Sequence, residues 1–208
     1  YTGGCNLKCP YCHSKDLVYL KENRYPIVTE KINEYLQGHK KDLDGIYISG
    51  GEPLMHEGIL SFLQYAKSLG YKIKLHTNGM FYDRLKRILN EKLADFISLD
   101  IKNAPNAYAK TCGVEDVNLK DIEKSLALLK NSLFEYDICV TLVHEFHNEK
   151  TMDELGQWIQ GVDHVVLQPF VDNETTIDHS LHSPDFDQVL KYRQILEQYV
   201  KHVEIRRN

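Results

Sequence analysis

No uninterrupted apolar run in this chain approaches the roughly 20 residues needed to span a bilayer, and no basic-then-apolar leader precedes its first cysteine. A cytoplasmic protein without a membrane anchor is expected. Basic excess is missing too: 25 Lys and Arg stand against 30 Asp and Glu, a formal charge of −5, which offers no electrostatic footprint for nucleic acid. Cysteine is scarce and odd in number, at 5, and a chain of 208 residues buries a core without staples, so a disulfide framework is not expected. Repeats, low-complexity tracts and a second composition are absent. With 42% hydrophobic and 26% charged residues the chain reads as one globular domain, 1–208. It begins at Tyr1 rather than Met and enters its cysteine cluster almost at once, so a short N-terminal segment is expected to be missing.

What is present is concentrated at the start. Cys5, Cys9 and Cys12 follow the spacing C-x3-C-x2-C in the run Cys5-Asn6-Leu7-Lys8-Cys9-Pro10-Tyr11-Cys12. Four-iron clusters are normally held by four cysteines, so three would leave one iron open to bind something else. Other thiolate chemistries compete. Structural zinc wants four closed ligands, and His13, the available fourth, is adjacent to Cys12 and would have to fold back onto the same ion. Cys9-Pro10-Tyr11-Cys12 matches a redox pair, and with His13 it matches the c-type haem attachment pattern; neither uses Cys5.

Beyond the cysteines, short β-rich runs alternate with amphipathic stretches. Strands are expected at 46–49, 72–76, 96–100, 138–143, 164–168 and 203–206, and helices at 29–38, 58–69, 82–93, 119–130, 151–159 and 185–200. Thr29 and Thr151 are candidate N-caps, and Gly70 stands where a left-handed C-terminal residue belongs. Strands separated by helices run parallel through right-handed crossovers. With a first strand ending near Gly3, six βα units account for the chain. Lys72-Ile73-Lys74-Leu75-His76 alternates charged and apolar residues, whereas a strand covered on both faces is apolar throughout; a polar lumen would explain it.

Four consecutive strands are followed directly by a polar or glycine-bearing cluster: Gly50-Gly51-Glu52-Pro53, Thr77-Asn78-Gly79, Asp100-Ile101-Lys102 and His144-Glu145-Phe146-His147. Ligands bind at the carboxyl ends of parallel strands, so all four clusters should share one rim with the cysteine loop. Two glycines admit a ligand close to the backbone, and Glu52 can accept from an ammonium group. Asp100 and Lys102, two apart, point to one face and can meet hydroxyls and a carboxylate. Together they suit an amino acid joined to a ribose.

With Tyr11 filling the aromatic position of C-x3-C-x-aromatic-C and a Gly-Gly-Glu-Pro motif following, the chain resembles the radical SAM superfamily. The cysteine loop, Thr77-Asn78-Gly79, Asp100-Ile101-Lys102 and Val166-Leu167-Gln168-Pro169-Phe170 are most similar to activating proteins of glycyl radical enzymes, those of anaerobic ribonucleotide reductase first and those of pyruvate formate-lyase next. The resemblance implies an α/β fold, a partial (βα)6 TIM-like barrel of parallel strands. It implies that Cys5, Cys9 and Cys12 hold a [4Fe–4S] cluster whose open iron binds S-adenosylmethionine. Tyr11, Gly50, Gly51, Glu52, Asn78, Asp100 and Lys102 would surround that cofactor, Glu52 at its ammonium, Asp100 and Lys102 at its ribose and carboxylate. Flavodoxin or ferredoxin would supply the electron, and the radical produced would take a hydrogen from a glycine of a partner enzyme. One departure counts against a monovalent-cation site: where such activators often carry aspartate before Thr-Asn-Gly, this chain has His76. A radical enzyme acting on a small molecule would instead use His144, His147 and Gln168. Of the other cysteines, Cys139 is expected in the core and Cys112 in a loop.

Overall fold

Alternation of apolar and polar side chains along short parallel strands decides the architecture. A computed structural model describes residues 1–20 and 27–206. Its elements run α1 (Lys15–Val18), α2 (Thr29–Gly38), β1 (Gly45–Ile48), α3 (Ile59–Ser68), β2 (Lys72–Thr77), α4 (Tyr82–Asn90), β3 (Phe96–Asp100), α5 (Tyr108–Thr111), α6 (Leu119–Lys130), β4 (Glu135–Leu142), α7 (Glu149–Trp158), β5 (His164–Pro169), α8 (Phe186–Leu196) and β6 (His202–Ile205). The six strands form one all-parallel sheet in sequence order, β1 to β6. The βα alternation read from the sequence is therefore the fold.

On one face of the sheet Ile73, Leu75, Ile97, Leu99, Ile138, Val140, Val165 and Leu167 are buried with the apolar stripes of the helices, among them Leu63 and Ala66 of α3 and Leu126 and Leu129 of α6. The other face is polar. Lys74 of β2 reaches Asp137 of β4 at 3.6 Å, although β3 lies between the two strands, so the side chains meet across the concave side of a curled sheet. Lys74 also lies 4.4 Å from the Phe96 ring centroid. The charged alternation of β2 thus lines a polar lumen, as its sequence suggested.

Three local expectations change. The strand expected to end near Gly3 is, among the described residues, a single parallel bridge between Thr2 and Gly50. Thr29 does not cap: α2 is preceded by Val28, with no side-chain cap. Thr151 is the third residue of its helix rather than its cap; Asn148 accepts from the Thr151 N–H while the Thr151 hydroxyl accepts from the Asn148 N–H, a reciprocal capping box. Gly70 does end α3 with φ +94°.

One carboxylate the sequence did not single out fastens three elements. Asp95, just before β3, accepts from the Ile73 N–H of β2 at 2.8 Å and from Lys67 of α3 at 2.8 Å, with Lys72 at 3.2 Å. Burial opposes its charge, but the two lysines and the amide win and hold its pKa below the ordinary 3.8. Asp95→Ala should cost about 1.5–3 kcal/mol, the range for losing hydrogen bonds to a charged group, read as a lower denaturant midpoint with an unchanged slope.

Candidate functional site

The cysteine loop is shaped by backbone contacts with distant elements. Thr2 N–H donates to Ser49 O at 2.8 Å, Gly51 N–H to Thr2 O at 2.8 Å and Glu52 N–H to Gly4 O at 2.9 Å. From the other side, Lys8 N–H donates to Cys112 O at 3.0 Å, Asp178 N–H to Pro10 O at 2.9 Å and Ile177 N–H to Cys12 O at 3.2 Å. Within the loop, Leu7 N–H approaches Cys5 Sγ and Ser14 N–H approaches Cys12 Sγ, each at 3.4 Å. All three cysteines line one cavity of about 260 Å³. A single zinc ion needs its ligands within about 2.0–2.3 Å of one point, and among the described residues no three His, Cys, Asp or Glu converge that way.

Gly50 and Gly51 line the cavity and also lie against the cysteine loop. A Cβ at Gly51 would stand 1.8 Å from Gly4 O, and one at Gly50 would stand 2.5 Å from Thr2 N. Their missing side chains admit the chain's own cysteine loop, and only then leave backbone facing the cavity. Glu52 is likewise committed internally. Its carboxylate, 1% exposed, accepts from Leu54 N–H at 2.9 Å, Thr77 Oγ1 at 2.7 Å and Asn78 N–H at 2.8 Å, a strut between the ends of β1 and β2. Burial raises its pKa despite these three donors. Asn78 extends the strut to the cysteine loop, donating from Nδ2 to Asn6 Oδ1 at 2.8 Å.

Across the cavity Lys102 Nζ pairs with Asp100 Oδ2, and His76 Nε2 lies 3.3 Å from the same oxygen while its Nδ1 meets the Tyr47 hydroxyl at 2.7 Å. Burial alone would raise the Asp100 pKa, yet Lys102 and His76 hold it far below the usual carboxylate range. Burial works against the Lys102 charge as well, but Asp100 keeps its pKa well above the ordinary lysine value. Four residues lining this space carry a buried polar atom with no hydrogen-bond partner of ordinary geometry among the described residues: Tyr11 Oη, His13 Nε2, His76 Nε2 and Asp100 Oδ1. A ligand bearing hydroxyl and amino groups would satisfy them.

His144 and His147 do not line the cavity, whereas Gln168 does. His147 is buried and links two strand ends. Its Nε2 lies 3.0 Å from Lys102 O, and its Nδ1 lies 3.0 Å from Val143 N and 3.1 Å from Val143 O; a neutral ring protonated at Nε2 donates to Lys102 O and accepts from the Val143 amide. Sequence reasoning also placed Cys112 in a loop; it is fully buried at the end of α5, with its carbonyl accepting from Lys8 N–H of the cysteine loop. Cys139 is buried as expected. It lies beside Asp137, at 3.4 Å.

A rim of buried, mutually braced polar groups around three cysteines is the setting in which comparison becomes decisive. The Radical SAM superfamily model matches residues 1–159. This chain belongs to the radical SAM superfamily. As a member it is an enzyme that uses a [4Fe–4S] cluster and S-adenosylmethionine. A Methanocaldococcus jannaschii protein proposed to be a glycyl-radical enzyme activating enzyme is 26% identical over 209 residues, covering 98% of this chain and 85% of its own. The pyruvate formate-lyase-activating enzyme of Staphylococcus aureus is 29% identical over 178 residues, 79% of this chain and 69% of its own. Among solved structures, Streptococcus suis SuiB bound to S-adenosylmethionine superposes with a TM-score of 0.74 at 15% identity, over 99% of this chain and 48% of that one. That likeness concerns the fold, the partial barrel of this superfamily.

Burial holds the His147 imidazole below its ordinary pKa of 6.5. A depressed histidine contributes stability that is complete above the unfolded value and drains away as pH falls below it, because the unfolded chain then binds the extra proton. Between about pH 7.5 and pH 5.5 the wild type should therefore lose more melting temperature than His147→Gln, whose amide keeps a donor toward Lys102 O. Equal slopes in the two proteins would remove His147 from this role.

Proposed function

We propose that this enzyme activates a glycyl radical enzyme, with an anaerobic ribonucleotide reductase as the preferred partner and flavodoxin or ferredoxin as its electron donor. The observation that carries the reading is the likeness, along nearly the whole chain, to a relative of that proposed activity. An unclosed sheet supports it: among the described residues β1 and β6 each pair with one strand of the sheet, β2 and β5. No helix among the described residues is long and apolar enough to cross a membrane, and we place the protein, as a single domain over 1–208, in the cytoplasm.

In this reading Cys5, Cys9 and Cys12 would hold the cluster through their thiolates, in the cavity that Glu52, Asp100 and Lys102 also line. Cluster and cofactor together supply reductive cleavage of the sulfonium and a 5′-deoxyadenosyl radical. The protein supplies position and exclusion of water. Lys102, kept charged by Asp100, meets the carboxylate of the cofactor; the free Oδ1 of Asp100 accepts from a ribose hydroxyl; Asn78 and Tyr11 bound the rest. Gly50 and Gly51 present backbone to the methionyl end, and the Glu52 carboxylate, already holding three donors, has acceptor capacity left at Oε2 for its ammonium. His76 fills the rim position beside Asp100.

Lys102→Ala should weaken S-adenosylmethionine binding about ten- to hundredfold, the equivalent of about 1.5–3 kcal/mol for a hydrogen bond to a charged group, while iron content stays at about four per chain. Equilibrium binding on reconstituted protein measures the first and iron analysis the second; an unchanged affinity would remove Lys102 from the site.

For the activity itself, reduced protein, S-adenosylmethionine and a candidate anaerobic reductase should together give a doublet radical signal in electron paramagnetic resonance. The signal should vanish when the partner's glycine is replaced by alanine. Stoichiometric 5′-deoxyadenosine released with a small metabolite, and no radical on any partner, would overturn the proposal in favour of small-molecule chemistry.

A further inference from the structure

The fixed charges of the cavity come from one part of its wall. Glu52 follows β1, Asp100 ends β3 and Lys102 comes two residues later; among the described residues no other Asp, Glu, Lys or Arg lines the space. The wall contributed by β4 and β5 has none. Thr141 and Gln168 are register partners on these two adjacent strands, so their side chains stand beside each other on one face of the sheet. Both line the cavity, as does His13.

His13 is set at this wall by the segment that follows β5. Its ring lies 5.5 Å from that of Phe170, centroid to centroid, and its carbonyl accepts from the Thr175 hydroxyl. On either side of it, Cys12 O accepts from Ile177 N–H at 3.2 Å and Lys15 N–H donates to Thr175 O at 3.3 Å. With its backbone held in this way, His13 still has a buried Nε2 with no hydrogen-bond partner among the described residues. An unpaired buried polar atom is unfavourable, and a ligand that pairs with it removes the penalty.

Three groups without a fixed charge match one substrate chemistry. A glycine within a chain has no side chain to recognise. It presents two flanking peptide groups, each with a carbonyl acceptor and an N–H donor. The Gln168 amide donates and accepts, the Thr141 hydroxyl does both, and an imidazole nitrogen does one or the other. A substrate bearing a carboxylate or phosphate would bury that charge against a wall with no cation to meet it, because Lys102 is paired with Asp100 on the other part.

We infer that Thr141, Gln168 and His13 form the substrate subsite and bind, through hydrogen bonds, the peptide groups flanking a glycine of the partner protein. The inference rests on the reading of this enzyme as a glycyl radical activator and adds the residues that receive the glycine. The chemistry there is transfer of one hydrogen atom: the glycine Cα–H bond breaks, a C–H bond forms at the 5′-carbon, and the unpaired electron stays on Cα. No proton has to be moved by the wall, so its task is to hold the backbone in place.

The test compares anaerobically reconstituted wild type, Thr141→Val, Thr141→Ser, Gln168→Met and His13→Leu, with S-adenosylmethionine and the candidate anaerobic reductase. Without reductant, and therefore without turnover, equilibrium binding of the reductase should weaken about two- to tenfold in Thr141→Val, Gln168→Met and His13→Leu, the range for losing one ordinary hydrogen bond. Thr141→Ser keeps the hydroxyl and should bind as wild type does. S-adenosylmethionine affinity should stay at the wild-type value in every variant, with iron at about four per chain; a general loosening of the site would lower both. With reductant added, KM for the reductase should rise in the same three variants. Wild-type affinity for the reductase in both Thr141→Val and Gln168→Met would overturn the subsite. Weakened S-adenosylmethionine binding in both would also overturn it, by assigning these residues to the cofactor. Should Gln168→Met or His13→Leu fail to fold, the contrast between Thr141→Val and Thr141→Ser decides alone. Failure of the activator reading looks different: the wild type itself would then give no radical on any reductase or lyase, and the peptide subsite would fall with it.

Discussion

The carbonyl of Gly4 occupies the space that a side chain at Gly51 would need, 1.8 Å from the position of its Cβ, and the rest of the site depends on that close approach. It lets the cysteine loop lie flat on the end of β1, where the Thr2, Gly51 and Glu52 amide bonds form. It also brings Glu52 to the depth at which one carboxylate can hold both its own following turn and the Thr77-Asn78 end of β2. Asn78 then returns to the cysteine loop through Asn6. The circuit is closed: loop to β1, β1 to β2, β2 to loop. A substitution in any member loosens the setting of all three cysteines, since buried polar networks of this kind act as units.

A second, charged circuit faces it. Asp100 gathers Lys102 and His76 onto one oxygen and leaves the other free, and His147 fixes the backbone of Lys102 from behind. The first circuit is made of neutral donors on one carboxylate; the second sets a cation, a carboxylate and an imidazole side by side. A zwitterionic ligand bridging the two meets complementary charge at both ends without either side having to rearrange, which is what preorganisation requires.

How much of this could be read beforehand follows from how far apart the participants lie in the chain. The cysteine spacing, the βα alternation and the order of the rim clusters are local patterns, and they correspond to the fold. The polar lumen was visible in five residues of β2 because alternation with period two is itself local. The partners of Glu52, Asp95 and His147 were not, since a carboxylate or imidazole in one sequence gives no sign of which distant amide it will meet. The glycines of the Gly50-Gly51 pair show the same limit: a missing side chain says that something comes close, and here that something is the chain's own backbone. Thr151 stood two residues inside its helix because Asn-x-x-Thr offers an oxygen at both ends of the box, and Cys112 looked like a loop thiol because its neighbour Gly113 signals a turn whether or not another segment is pressed against it.

The polar concave face has a consequence for how such a molecule can change. Each strand carries its apolar burial on one side and its ligand-facing groups on the other, as Ile73 and Leu75 against Lys74 and His76 illustrate. Stability and chemistry are therefore written on alternate residues of the same short segments. A replacement at His76 or Gln168, which line the cavity, alters what the interior accepts while leaving the layer between sheet and helices untouched. Interiors of this kind can be refitted to new guests one side chain at a time, with the scaffold surviving each step.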